Sequence, residues 1–153
     1  MKKIIILGLV LLMVVVFATT VFGRAQKLDL KEGLEDGNVV GFVILNNPSG
    51  AVNFVVQVII ENAEPNLDCN IWISALTGTG AANFFPLVKS VTTDSPWYKL
   101  GELSTNDDGD GSFHINLKLT EVSGNLTKIV VALNQKDPKL RKFTSEEGEI
   151  KIK

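Results

Sequence analysis

The sequence predicts an all-β fold, a single antiparallel β-sandwich of immunoglobulin-like or Greek-key type with about seven or eight strands. Three observations lead to this class. Apolar and polar residues alternate with a period of two in several short runs. Turn-forming residues separate these runs at intervals of roughly 8 to 14 residues. Apart from a short candidate at residues 28–36, no stretch beyond the N-terminal segment has the pattern of an amphipathic helix.

The chain opens with an apolar segment that has the form of an export signal. Lys2 and Lys3 precede a long apolar run, and the small residues Gly23 and Ala25 allow cleavage after either one. The run also approaches the length of a bilayer-spanning helix, so an uncleaved anchor is the alternative, and both carry the rest of the chain across a membrane. The predicted divisions are a signal peptide or membrane anchor over 1–23, a lead-in segment over 24–37 and the β-sandwich domain over 38–153.

The first predicted strands occupy residues 38–47 and 51–62, on either side of the turn signal Pro48-Ser49-Gly50. In the second strand every other residue is apolar, which is the pattern of a strand with one buried face. The residues that share this face are Val52, Phe54, Val56, Val58 and Ile60.

A third strand follows the turn signal Pro65-Asn66 and contains the only cysteine of the chain, Cys69. An exported chain with one cysteine has no internal disulfide. Alternation places Cys69 on the same face as Ile71 and Ile73, with Trp72 on the other, so we predict a thiol that packs in the core rather than a nucleophile.

The second half of the chain supplies the remaining predicted strands. Pro86 lacks a backbone donor, which favours an edge strand or a bulge around it. The clearest alternation lies at 111–120, where Phe113, Ile115 and Leu117 point inward and His114 and Asn116 point outward. The other predicted strands lie at 97–103, at 127–135 and within 147–153.

The charge of the chain argues against nucleic-acid binding. It has 15 basic and 17 acidic residues, and without Lys2 and Lys3 the part after the signal keeps 13 basic residues against 17 acidic ones, a formal net charge of −4. Nucleic-acid binding needs a basic patch for the phosphates. Its 130 residues fit one domain with a core of its own.

The stretch from Asn106 to Gly111 is the candidate metal site. Asn106, Asp108 and Asp110 match the first, third and fifth ligand positions of a calcium loop, and Asp107 adds a further carboxylate. The twelfth position is Leu117 rather than glutamate, and a strand follows, so an EF-hand is excluded. The two open interpretations are a weak calcium site of another kind and a plain turn, in which Gly111 is expected to require a positive φ.

Catalytic candidates are few. His114, the only histidine, is predicted to lie outward on a strand, so neither a serine nor a cysteine triad has a base. A hydrolase with a carboxylate site remains the least favoured interpretation, and its candidate side chains are Glu61, Glu64, Asp68 and Asp94. We therefore expect a protein that is not an enzyme.

Three aromatic residues are the candidate binding surface. Trp72 is outward by alternation, and Trp97 and Tyr98 begin a strand. Flat rings of this kind stack on sugars or contact a protein, although they also pack in cores or cover a sheet.

The order NPSGAVNFVVQVIIENAEPN, a strand, and LGELSTNDDGDGSFHINLKL resembles exported β-sandwich proteins of bacteria and archaea, over roughly residues 38–133. The resemblance implies the fold, with Gly109 and Gly111 as turn residues, and implies neither an activity nor a ligand.

The expected function is an exported, non-enzymatic β-sandwich module of the cell envelope or extracellular space, secreted, periplasmic or at the cell surface. Its role would be interaction or structure, with a protein or a glycan as partner and contact with the membrane only through an uncleaved N-terminal segment. The alternative is a carbohydrate-binding or calcium-assisted adhesion module. We expect no cofactor unless the turn binds calcium.

Overall fold

The structure, a computed structural model, describes residues 24–33, 37–47, 53–78, 80–82, 84, 87–89, 96–118, 125–134 and 142–151. All regular structure in these residues is β-strand, and every pair of strands is antiparallel. The predicted all-β antiparallel class is therefore confirmed. The predicted signal or anchor at 1–23 lies outside the described residues. Within them, no helix is long and apolar enough to cross a membrane.

The described residues form eleven strands. Their bounds are β1 (Arg24–Glu32), β2 (Val39–Asn47), β3 (Asn53–Ile60), β4 (Asp68–Thr77), β5 (Gly80–Ala81), β6 (Val88–Lys89), β7 (Tyr98–Ser104), β8 (Gly111–Lys118), β9 (Asn125–Asn134), β10 (Phe143–Ser145) and β11 (Gly148–Lys151).

The strands join into one curled antiparallel sheet, a half-barrel. The order is β6-β7-β4-β9-β10-β1-β2-β3-β8, with β5 beside β4 and β11 beside β9. Although β7 and β8 follow each other in the chain, they lie near opposite ends of this order, so the turn between them brings the two ends of the sheet together. The predicted division of the strands into two sheets stays a prediction.

The segment 24–37 differs from the predicted lead-in with a possible short helix, because most of it is strand β1 in the middle of the sheet. β1 pairs with β2 on one side and with β10 on the other, for example through Leu30 and Ser145. Leu28 and Leu30 are both buried, and the residues between and beside them are more exposed. This period of two is what a strand requires.

The core lies inside the curl of the sheet and matches the predicted inner faces of β3 and β4. On β3 the alternate residues from Phe54 to Ile60 are at most 1% exposed, and on β4 Cys69 packs with Ile71 and Ile73. On β8 Leu117 is buried, whereas Phe113 and Ile115 are only half-buried. Val52 and Leu119, the latter the next inward residue of the alternation predicted over 111–120, lie outside the described residues.

Phe84 links the two ends of the sheet through the core. Its ring stacks on Phe54 of β3, with centroids 6.4 Å apart, and meets Tyr98 of β7 edge-on at 5.4 Å. Phe84 is 1% exposed. The nearby strand β6 has two residues and ends the sheet order, in keeping with the edge strand predicted around Pro86.

Candidate functional site

The turn between β7 and β8 is closed by the side chain of Asn106. Its Oδ1 atom accepts hydrogen bonds from the backbone N–H groups of Asp108 and Asp110, both at 2.9 Å. The Asn106 N–H donates to the Asp110 carbonyl at 2.8 Å, and the Gly109 N–H donates to the Asn106 carbonyl at 3.0 Å. Asparagine favours turns through such bonds to its own backbone. The amide oxygen predicted as a calcium ligand is thus engaged within the turn.

A second loop, residues 61–67 between β3 and β4, packs along this turn. The Ala63 N–H donates to the Gly109 carbonyl at 3.1 Å, and the Asn66 N–H donates to the Asn106 carbonyl at 3.2 Å. We call the two loops, residues 61–67 and 105–110, the clasp. The clasp joins the β3–β4 connection to the β7–β8 connection at one end of the sheet.

Thr105 fastens the clasp from inside. Its buried hydroxyl donates to the Glu64 carbonyl at 2.7 Å and accepts from the Leu67 N–H at 2.9 Å. Its own N–H donates to the Leu67 carbonyl at 3.0 Å. A buried hydroxyl that both donates and accepts is well satisfied, so Thr105 has a structural role that the sequence pattern did not reveal.

Two of the predicted metal-ligating carboxylates bond to the other loop of the clasp. Asp110 Oδ1 accepts from the Asn62 N–H at 3.0 Å, and Asp107 Oδ1 accepts from the Asn66 side-chain amide at 3.1 Å. Asp108 is exposed. Nowhere in the described ranges do three His, Cys, Asp or Glu side chains lie close enough to hold a metal ion. The arrangement is that of a turn fastened to a neighbouring loop.

We expect calcium to leave the stability of the protein nearly unchanged. A site of millimolar affinity would add about 1.4 kcal/mol to the free energy of unfolding at 10 mM calcium, and a plain turn would add almost nothing. Thermal unfolding in chelator, in 10 mM calcium and in 10 mM magnesium as the ionic control tests this. A calcium-specific rise of several degrees that disappears in the double variant Asp108→Ala, Asp110→Ala would establish a metal site instead.

The predicted aromatic binding residues separate into two environments. Trp72 and Trp97 pack with Ala132 on the outer face of the sheet, and they are 9% and 5% exposed. The Trp72 indole N–H donates to Oδ1 of buried Asn134 at 3.2 Å. Tyr98 belongs to the inner core, where burial raises the pKa of its phenol.

Alternation therefore predicted the side of the sheet on which Trp72 lies, but not its burial. The three rings do not form one exposed surface, and their binding role stays a prediction. The structure also shows a partner that the sequence pattern did not reveal. Asn134 is fully buried beside the indole of Trp72, and its side-chain nitrogen has no hydrogen-bond partner among the residues that the structure describes.

Cys69 lies beside a small surface cavity of about 340 Å³ between β4 and β7. Burial raises the pKa of the Cys69 thiol, and nearby Lys142 offsets this only in part. A thiol of this kind is mainly protonated at neutral pH and is a poor nucleophile. His114 is exposed on β8 and does not line the cavity. The cavity thus combines a core thiol with surface polar groups and contains no base of the kind a triad requires.

The carboxylates considered for a hydrolase have separate partners. Glu64 forms an ion pair with Lys142, and Asp68 accepts a hydrogen bond from the Ser104 hydroxyl. Glu61 lines a different surface cavity, of about 400 Å³, beside β1 and β2. Asp94 lies outside the described residues. The described members of the set therefore do not line one common cleft.

Two asparagines of the clasp have a backbone conformation that their residue type favours. Asn62 and Asn66 both adopt φ of +56°, a conformation in which asparagine is several-fold enriched. Asn66 belongs to the turn signal Pro65-Asn66 already noted, and Asn62 lies three residues before Pro65. No protein-family model, curated protein or solved structure matches this chain, so its function has to be argued from its own residues.

Proposed function

We propose that this chain is an exported, non-enzymatic β-sandwich module of the cell envelope or extracellular space, with an interaction or structural role. The observation that carries the proposal is the junction between the N-terminal apolar segment and the first strand. Lys2, Lys3 and the apolar run have the form of a signal, and β1 begins at Arg24, directly after the predicted signal.

The pairing of β1 also favours one of the two cleavage positions. Arg24 pairs with Asn47, and Ala25 pairs with Asn46. Cleavage after Ala25 would remove both pairs from the sheet, whereas cleavage after Gly23 would leave β1 whole. We therefore propose a mature chain that begins at Arg24.

The contacts of the candidate site support a non-enzymatic role. The acidic turn is fastened to its neighbouring loop, the thiol is in the core, and the candidate carboxylates pair with different groups. Each of these groups has a structural partner or environment, and the hydrogen bond between Ser104 and Asp68 joins direct cross-strand partners of β7 and β4.

Expression of the full chain in a secreting host tests the proposal. We expect a product outside the cytoplasm whose mass is lower by the first 23 residues, measured by intact-mass spectrometry. Val14→Arg is the matched control, because a charge within the apolar run should keep the chain inside the cell. A product that lacks 25 residues would contradict the proposed cleavage position. A full-length chain in the membrane fraction would establish an anchor, and a full-length soluble chain in the cytoplasm would contradict export.

A further inference from the structure

The outer strands of the sheet differ in how well they are protected against pairing with another chain. β5 and β6 have two residues each, and short edge strands of this kind resist the addition of a further strand. β8 has eight residues, and it pairs with β3 from Gly111 to Lys118 without a bulge or a shift of register. β8 contains no proline, and its one charged residue is at its end. It therefore has few of the features by which edges avoid association.

The hydrogen-bond pattern identifies the backbone groups that β8 presents on its open side. The Glu61 N–H, one residue beyond β3, donates to the Val40 carbonyl at 2.8 Å, and one further step of the register that pairs Ile60 with Gly41 makes Val40 its direct partner. Because bonding direction alternates along an antiparallel strand, the odd-numbered residues of β3 bond toward β2 and the even-numbered ones toward β8. The residues of β8 opposite the even-numbered set are Gly111, Phe113, Ile115 and Leu117.

The other residues of β8 direct their N–H and C=O groups away from β3. These residues are Ser112, His114, Asn116 and Lys118. Within the part of the chain that the structure describes, β3 is the only strand paired with β8. The open side thus offers a regular row of backbone donors and acceptors, which is the requirement for adding a strand.

The apolar side of β8 also favours the addition of a strand. Phe113 and Ile115 are only half-buried, although Val58 and Val56, their direct partners on β3, are fully buried. A strand added beside β8 would cover the exposed part of Ile115, whereas the Phe113 ring already lies against Gly101 of β7. Burial of apolar area would therefore add to the backbone hydrogen bonds.

The charges around β8 favour antiparallel pairing with a second copy of the same strand. Asp107, Asp108 and Asp110 precede β8, and Lys118 ends it. Parallel pairing would place acidic residues beside acidic ones. Antiparallel pairing places the Lys118 end of each copy near the acidic turn of the other, and opposite charges across a sheet stabilise it.

We propose that β8 pairs antiparallel with β8 of a second copy, about a twofold axis at Ile115, so that the sheet continues through a dimer. In this register His114 of each copy lies opposite Asn116 of the other, and Ser112 lies opposite Lys118. All four belong to the set that bonds toward the open side. Phe113 lies opposite Leu117 on the apolar side. The inference rests on β8 alone, so a monomeric protein would leave the proposal of export intact.

Sedimentation velocity of the purified, exported protein over a range of concentrations tests the dimer. His114→Pro removes one outward N–H from each copy and leaves the bonds to β3 in place. We expect a reversible wild-type dimer and a dissociation constant at least about tenfold higher for His114→Pro, because two hydrogen bonds are lost per dimer. His114→Thr keeps the N–H and should dimerise like the wild type. A wild-type monomer at every concentration, or a dimer insensitive to His114→Pro, would overturn the proposal.

Disulfide trapping tests the register without depending on how the proline variant folds. In the double variant His114→Cys, Asn116→Cys, each new thiol lies directly opposite one of the other copy, within the reach of a disulfide. We expect a covalent dimer under mild oxidation. His114→Cys alone is the matched control and should remain largely unlinked, because its thiol then lies opposite Asn116. Equal linking in both variants, or linking in neither, would contradict this register.

Discussion

Replacement of Phe54 by alanine is expected to lower the free energy of unfolding by about 3 to 5 kcal/mol, measured by urea denaturation. The Phe54 side chain is fully buried on the inner face of β3 and stacks on Phe84. Its removal deletes apolar contacts and leaves a cavity where Phe84 joins the two ends of the sheet. Surrounding side chains relax only in part around such a cavity, so the loss exceeds that of the buried area alone.

Phe42→Ala is the matched control for this prediction, because it deletes the same side chain from the outer face of β2. Phe42 is half-buried, and the Lys27 Nζ atom lies 4.0 Å from the centre of its ring. We expect less than half the loss of Phe54→Ala. Equal losses from the two variants would show that the inward register of β3 is wrong.

Gly109→Ala is expected to cost about 3 to 5 kcal/mol, because two separate effects act at this residue. Gly109 has a φ of +83°, where a residue with a Cβ atom is strained. A Cβ atom at Gly109 would also lie 2.0 Å from the carbonyl oxygen of Ala63, on the other loop of the clasp. That oxygen belongs to the backbone, so the loops would have to separate. The hydrogen bond from Ala63 to Gly109 would then be lost.

Gly33→Ala separates the two effects. Gly33 has a similar φ of +73°, but a Cβ atom there would meet nothing within 4 Å. This variant should therefore show only the backbone strain, about 1 to 2 kcal/mol in urea or thermal unfolding. If Gly109→Ala costs no more than Gly33→Ala, the close approach of the two loops does not contribute to stability.

The inner and outer faces of the strands were predictable because one buried face imposes a period of two on the sequence. On β3 the predicted inward residues from Phe54 to Ile60 are those that the structure buries, whereas on β4 the inward residues are buried together with Trp72 and Ser74 of the other face. On β8 the predicted direction of Phe113 and Ile115 is right, but both remain half-buried. Alternation specifies the side of a sheet and carries no information about whether a strand is at its centre or its edge.

The position of β1 could not be read from its residues in this way. Leu28 and Leu30 are the only large apolar residues of a strand with five charged residues, which is a weak signal. Their burial depends on β2 and β10, and β10 lies more than one hundred residues further along the chain. The partners of the acidic turn could not be predicted from local sequence either, because they too are distant in the chain. The hydrogen bond from Asn62 to Asp110 joins residues 48 positions apart.

The glycine with a positive φ in the acidic turn is not the one that the local sequence predicts. Gly111 was expected to have a positive φ, and the structure assigns that conformation to Gly109 instead. The fold restricts Gly111 for another reason, because a Cβ atom there would lie 2.9 Å from the backbone carbonyl oxygen of Ser104 and 2.9 Å from a methyl carbon of Leu103. The sequence DDGDG marks a turn, but the bonds of Asn106 and the neighbouring loop determine which glycine reverses the chain.

The place of β1 between β2 and β10 has a consequence for the order of folding. β1 is the first of the described strands to leave the ribosome, and β2, its neighbour in sequence, is available to pair with it soon afterwards. The other edge of β1 can pair only after β10 has been synthesised, because Leu30 pairs with Ser145, 115 residues later. Pairing over such a separation is slow, because the ends of a long loop must first meet. If the chain is exported N-terminus first, as proposed above, the centre of the sheet stays open until the last strands have crossed, and completion of the fold coincides with completion of translocation.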